Sequence, residues 1–125
     1  MESILTSIKK LLGIDEDYEA FDTDVIMHIN SVLFILNQIG IGTEGFSITD
    51  KTSIWSEFMQ NISAVELVKS YVYLKVRLLF DPPTSSSVID AINRQLSEFE
   101  WRLLVYADPK VDYNSEEEIG GNNDD

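Results

Sequence analysis

The chain has 125 residues, no cysteine, and 22 acidic against 9 basic side chains, for a formal charge of −13 and an isoelectric point near 4.2. That length suits one compact domain, and 44% hydrophobic residues supply a core, so wholesale disorder is excluded. Without cysteine there is no disulfide framework, thiol nucleophile or Cys-ligated zinc, and the acidity argues against gripping nucleic-acid phosphates, which need Lys and Arg to displace counterions.

Residues 3–12 carry Ile4, Ile8, Leu11 and Leu12 at the spacing of a short amphipathic helix, with Gly13 placed to cap it. The positive charge of this N-terminal stretch follows its first apolar residues, the wrong order for a secretory signal, so assembly in the cytosol is expected. An acidic loop, DEDYEAFDTD, leads to a second helix with Asp22 or Thr23 as N-cap. Val25, Ile26, Ile29, Val32, Leu33, Leu36 and Ile39 recur there at helical spacing, while His28, Asn30 and Asn37 point elsewhere and Gly40 stops the run. The segment GIGTEGFSITD reads as a loop with Phe46 and Ile48 tucked inward. SIWSEFM predicts about two helical turns with Ile54, Trp55, Phe58 and Met59 as the apolar set.

Ser63, with Glu66 three residues on, gives the capping-box pattern for AVELVKSYVYLKVRLLF. This helix is apolar on nearly every side, which predicts a central, buried position or one shared between subunits. Asp81-Pro82-Pro83 ends it, because proline cannot continue the hydrogen-bond ladder. Thr84 or one of Ser85, Ser86 and Ser87 caps the last helix, where Val88, Ile92, Leu96, Phe99, Leu103 and Tyr106 form a regular stripe. The tight turn predicts an antiparallel hairpin of the last two helices. The fold class is all-α, with four to five helices.

Charge is uneven along the chain: residues 1–68 carry a net of −8, residues 69–106 a net of +1, and residues 107–125 a net of −6. The closing NSEEEIGGNNDD has too little apolar surface to offset its chain entropy, so residues 108–125 read as a flexible acidic tail behind a helical domain of residues 1–107. No stretch approaches the roughly 18 apolar residues of a membrane span.

Catalytic and metal patterns each fail a physical requirement. Asp15, Asp17 and Glu19 resemble the start of a calcium loop, but its glycine position holds Ala20 and its bidentate carboxylate position holds Ile26. His28, the only histidine, has Ser31 and Val32 where a second ligand belongs, and no nucleophile-elbow sequence accompanies it. Glu98 and Glu100 lie on different faces of a helix. Lys69, Lys75 and Arg77 form at most a modest basic stripe, and Gly40, Gly42 and Gly45 lack the Lys-Ser/Thr partner of a phosphate loop. Asn61-Ile62-Ser63 matches a glycosylation acceptor in a chain with no sign of secretion. The reading is a non-enzyme without cofactor or metal. What remains is an interface argument, because a domain of this size buries only about 65–70% of its unfolded surface. Trp55, Tyr71, Tyr73 and Trp101 are candidates to face a partner, with ordinary core packing the alternative for each.

The string YVYLKVRLLFDPP, followed by EFEWRL and preceded by FDTDVIMHINSVLFILNQIG, resembles the small head–tail connector (adaptor) proteins of tailed bacteriophages. The likeness covers most of residues 1–108 and is sharpest from Val65 to Asp108. It implies an all-α virion subunit assembling as a ring of twelve beneath the portal, extending the DNA channel and docking the tail, a stopper or a neighbouring connector protein. DNA passes through such a ring without specific binding, and assembly takes place in the bacterial host cytoplasm. The family offers no catalytic residues to carry over. Motif positions are Lys75, Arg77, Phe80, Asp81, Pro82, Pro83, Glu100, Trp101 and Arg102, and Val111 and Tyr113 are the anchors a portal-reaching C-terminal extension could use. Interface candidates are therefore Tyr71, Tyr73, Lys75, Arg77, Phe80, Asp81, Trp101, Arg102, Val111 and Tyr113. The rival reading is a small acidic regulator or DNA mimic that binds a basic protein surface.

Overall fold

The structure, a computed structural model, describes residues 2–108. Among these residues there are five helices: α1 (Ile4–Leu12), α2 (Asp22–Gln38), α3 (Trp55–Phe58), α4 (Ile62–Phe80) and α5 (Ser86–Ala107). The all-α class holds, since the only β pairing among them is an isolated antiparallel bridge between Ser3 and Ile54. No described helix is long and apolar enough to cross a membrane.

The helix apolar on nearly every side is the central one. α4 packs against α1, α2 and α5, and its Val65, Val68, Tyr71, Val72 and Val76 are buried. From α2 come Val25, Ile29, Val32, Leu33 and Leu36, from α1 Ile4, Leu5 and Ile8, and from α5 Ile92, Leu96 and Leu103. Fully burying each such aliphatic side chain contributes about 1.5–3 kcal/mol before chain entropy is charged against it.

Three helix ends differ from the sequence expectation. α2 begins at Asp22 with Phe21 in the cap position and no side-chain cap, because the Asp22 carboxylate is held by Lys9 at 2.7 Å instead. α4 is capped by Asn61 rather than Ser63. The Asn61 Oδ1 accepts from the Ser63 amide at 3.0 Å and from the Ser63 hydroxyl at 2.6 Å, and Glu66 pairs with Lys69 at 3.5 Å instead of closing a capping box. α3 is one turn, not two, since Met59 swings into extended backbone. Of the four possible caps of α5, Ser85 takes the role.

Polar side chains join the pieces. Trp55 Nε1 donates to Ser7 Oγ at 2.9 Å, so α3 is fixed to α1 across 48 residues of sequence. Asn30 donates to the Ile48 carbonyl at 3.0 Å and accepts from its amide at 2.8 Å, mimicking a strand neighbour for the loop. Asn37 donates to the carbonyls of Ile41 and Thr43 and accepts from the Gly45 amide. The Thr43 amide and hydroxyl both donate to the Phe58 carbonyl, seating the 40–45 loop over α3. Ile48 is thereby buried, with Phe46 packed against the core.

Candidate assembly surface

The candidate interface residues fall into three places. The first is the packing of α4 on α5, around Glu100. The Tyr71 hydroxyl donates to the Glu100 carboxylate at 2.9 Å, and the Lys75 ammonium lies 3.7 Å from the same carboxylate and 5.9 Å above the Tyr71 ring. Tyr71 is buried within the subunit, as is Trp55, so for these two the core reading holds. Tyr73 is half-buried and accepts a hydrogen bond from Arg77 Nη1 at 3.3 Å. Lys69 is engaged by Glu2 at 2.8 Å, which lifts its ammonium above the ordinary lysine range. Each member of the Lys69, Lys75, Arg77 stripe therefore has a partner inside the subunit.

Burial first, and the Glu100 acceptor second, push the Tyr71 phenol well above its usual value near 10. The folded state then keeps a proton that the unfolded state loses above about pH 10, so stability falls as pH rises through that range. Tyr71→Phe is expected to flatten this alkaline loss when urea midpoints are followed from neutral pH to about 11. Equal slopes for both chains would mean that Tyr71 ionises alike folded and unfolded.

The second place is the C-terminal end of α4. Phe80 stands edge-on to Phe21 with centroids 5.3 Å apart, Phe21 meets Tyr18 at 5.4 Å, and His28 lies 6.5 Å from Phe80. Phe80 and exposed Asp81 line a cleft with Leu12, Gly13, Ile14, Phe21 and Asp24. The half-buried His28 is thus a neighbour of the Phe-Asp-Pro-Pro turn, and no group of three or more His, Asp or Glu side chains that could hold a metal ion forms among the described residues.

The third place is the outward side of α5. Trp101 is 65% exposed and Leu104 is 50% exposed, on the side opposite Ile92, Leu96 and Leu103. Arg102 reaches Glu98 at 2.6 Å in an exposed i, i+4 pair, worth at most about 0.5 kcal/mol to the subunit. Lys75, Arg77, Tyr73, Phe80 and Glu100 thus serve internal packing at least in part, whereas Trp101 and Arg102 face outward. Val111 and Tyr113, with the rest of the acidic tail, lie outside the described residues. The sequence reading missed one exposed set: Met27, Phe34 and Ile35 of α2, 55%, 62% and 37% exposed. Their signal was present, since Met27 and Phe34 sit off the Val25–Ile29–Val32–Leu36 stripe on the same helix.

The bundle exposes tryptophan, phenylalanine and methionine on two of its helices, apolar surface of the kind that partner proteins cover. The chain matches the phage connector protein family over residues 4–110, and it belongs to that family. It is accordingly a structural phage protein and a component of the virion. Neither a curated protein nor a solved structure matches the chain.

Proposed function

We propose that this chain is a head–tail connector subunit that assembles as a closed ring, of twelve copies, beneath the portal at the capsid vertex. The ring extends the DNA channel and presents a docking surface to the tail, a stopper or a further connector protein. The observation that carries this reading is the family match over residues 4–110, which spans every described helix. Its action is assembly, without catalysis or cofactor. The charge distribution supports a conduit: with a net of −8 over residues 1–68, a subunit repels DNA phosphates, so the genome passes without being gripped. Residues 1–107 form the ring body in this proposal, and residues 108–125 are a portal-docking extension anchored through Val111 and Tyr113. Subunits join the particle in the host cytoplasm.

Electron microscopy of the purified chain mixed with portal rings tests the proposal. The expected result is an added ring coaxial with the portal, which persists on deletion of residues 114–125 because the helical body makes the ring contacts. A chain that stays monomeric and never binds portal rings overturns it.

A further inference from the structure

Two outward helix faces carry apolar side chains that no other described residue covers, and they differ in charge. On α2, Met27, Ser31, Phe34 and Gln38 follow one another at helical spacing on the side away from the core. From Leu11 to Asp50 the chain has no Lys or Arg, whereas Asp24 sits one turn before Met27 and Glu44 borders the same shallow cleft as Phe34. On α5, Asp90, Arg94, Ser97, Trp101 and Leu104 share the outward side, so this face carries a cation that the α2 face lacks, and Arg94 has no ion pair or hydrogen bond among the described residues. Each face thus places a serine between larger side chains, so a partner helix can approach closely at that point.

Like-on-like contacts fit these faces poorly. Two α2 faces would bring carboxylates together with no cation nearby, and a two-fold α5 pair would close at two copies and leave the α2 face uncovered. Unlike faces complement each other, with apolar centre on apolar centre and Arg94 free to meet Asp24 or Glu44. We infer that the outward face of α5, centred on Trp101, docks on the outward face of α2, centred on Phe34, of the next copy of this chain. The inference rests on the ring reading above and adds which surfaces make the ring. A contact between unlike faces leaves one of each unused on every added copy, so it propagates until the rotation closes.

The absence of cysteine in the chain makes the contact directly testable. Ser31 and Ser97 are exposed, one on each face, and Ser→Cys changes little else. The full-length chain carrying Ser31→Cys and Ser97→Cys is assembled into phage particles and treated with a short bis-maleimide. The expected result is a ladder of covalent dimers, trimers and larger species. Each single variant alone gives only monomer, and a mixture of the two singles stops at dimer. Dimers from one single variant alone overturn the inference in favour of a like-on-like contact, and links to a portal or tail protein reassign that face to the other partner. No ladder from particles that contain the chain overturns the choice of faces while leaving the ring intact. Absence of the wild-type chain from particles would instead overturn the ring reading itself.

Discussion

Replacing Gly42 with alanine is expected to remove about 3 kcal/mol of folding stability, a large share of what a domain of this size has. Two effects add. Gly42 sits at φ 85°, the left-handed region, where a side chain costs roughly 1–2 kcal/mol. In addition, a Cβ there would clash with the Cζ and Cε carbons of the Phe58 ring, and the ring cannot retreat, because Phe58 is fully buried and packs at 5.5 Å on Phe46. Overpacking of this kind costs a further 1–3 kcal/mol or so. Gly45 separates the two effects: it has a similar φ of 76°, but open space surrounds its Cβ position. Gly45→Ala should therefore lose only about 1 kcal/mol in urea unfolding. Phe58→Leu should restore part of the Gly42→Ala loss in a double-mutant cycle, since a smaller side chain yields room. Equal losses at Gly42 and Gly45 would show that the ring contact decides nothing.

The elements that sequence patterning reached are those set by periodicity. The stripes of α2 and α5 and the all-round apolar α4 appear in the spacing of their residues, and burial follows it over the middle of each helix, while Val88 at the start of α5 and Leu79 at the end of α4 are exposed. The 40–45 loop is different, because its geometry depends on Asn37 and Thr43 and on Phe58, fifteen residues beyond Thr43, which meets the loop only once the helices have packed. Helix ends depend on local competition. Asn61 and Ser63 are comparably good caps, and Asn61 prevails by holding the Ser63 hydroxyl itself. α3 stops after one turn because Trp55 and Phe58 are both buried by it, and the extended Met59 leads directly on to the cap of α4.

The candidate surface was legible to the same extent and for the same reason. Trp101 and Arg102 came from a family-like motif and stand outside, but Tyr71, in the same motif region, is buried against Glu100. Aromatic composition cannot distinguish these cases, because an aromatic ring with a hydroxyl fits a core wherever a carboxylate receives it. Phe34 and Met27 stand outside the apolar stripe that spacing picks out for α2, so their positions already hint at a second side. The direction of each side chain relative to α4 shows that this helix is apolar on two sides, one inward and one outward. Charge adds what hydropathy lacks: the −8 of residues 1–68 includes the exposed α2 face, and the near-neutral 69–106 segment includes the α5 face opposed to it in the proposed ring.

Lys9 carries the second large effect, and it links stability to that surface. Its side chain is 2% exposed, and its ammonium donates to the Glu16 carbonyl at 3.1 Å and the Tyr18 carbonyl at 2.8 Å while lying 2.7 Å from the Asp22 carboxylate as an ion pair. One buried cation thus organises the acidic loop, which otherwise repels itself. Lys9→Met keeps most of the stem but strands one carboxylate and two carbonyls. The expected loss is about 2–3 kcal/mol, below the range for a fully buried pair because Asp22 retains some contact with water. Lys69→Met, which breaks only the more exposed pairs to Glu2 and Glu66, should lose less than about 1 kcal/mol. Adding Asp22→Asn to Lys9→Met should recover part of the loss by removing the stranded charge. The loop holds Tyr18 and Phe21 against Phe80, so Lys9→Met should also expose residues 14–20 to limited proteolysis while α4 and α5 stay protected. A Lys9→Met chain no less stable than Lys69→Met, with its loop still resistant, would mean that aromatic packing alone holds the segment, and that the cation is incidental to the end of α4 where the Phe-Asp-Pro-Pro turn sits.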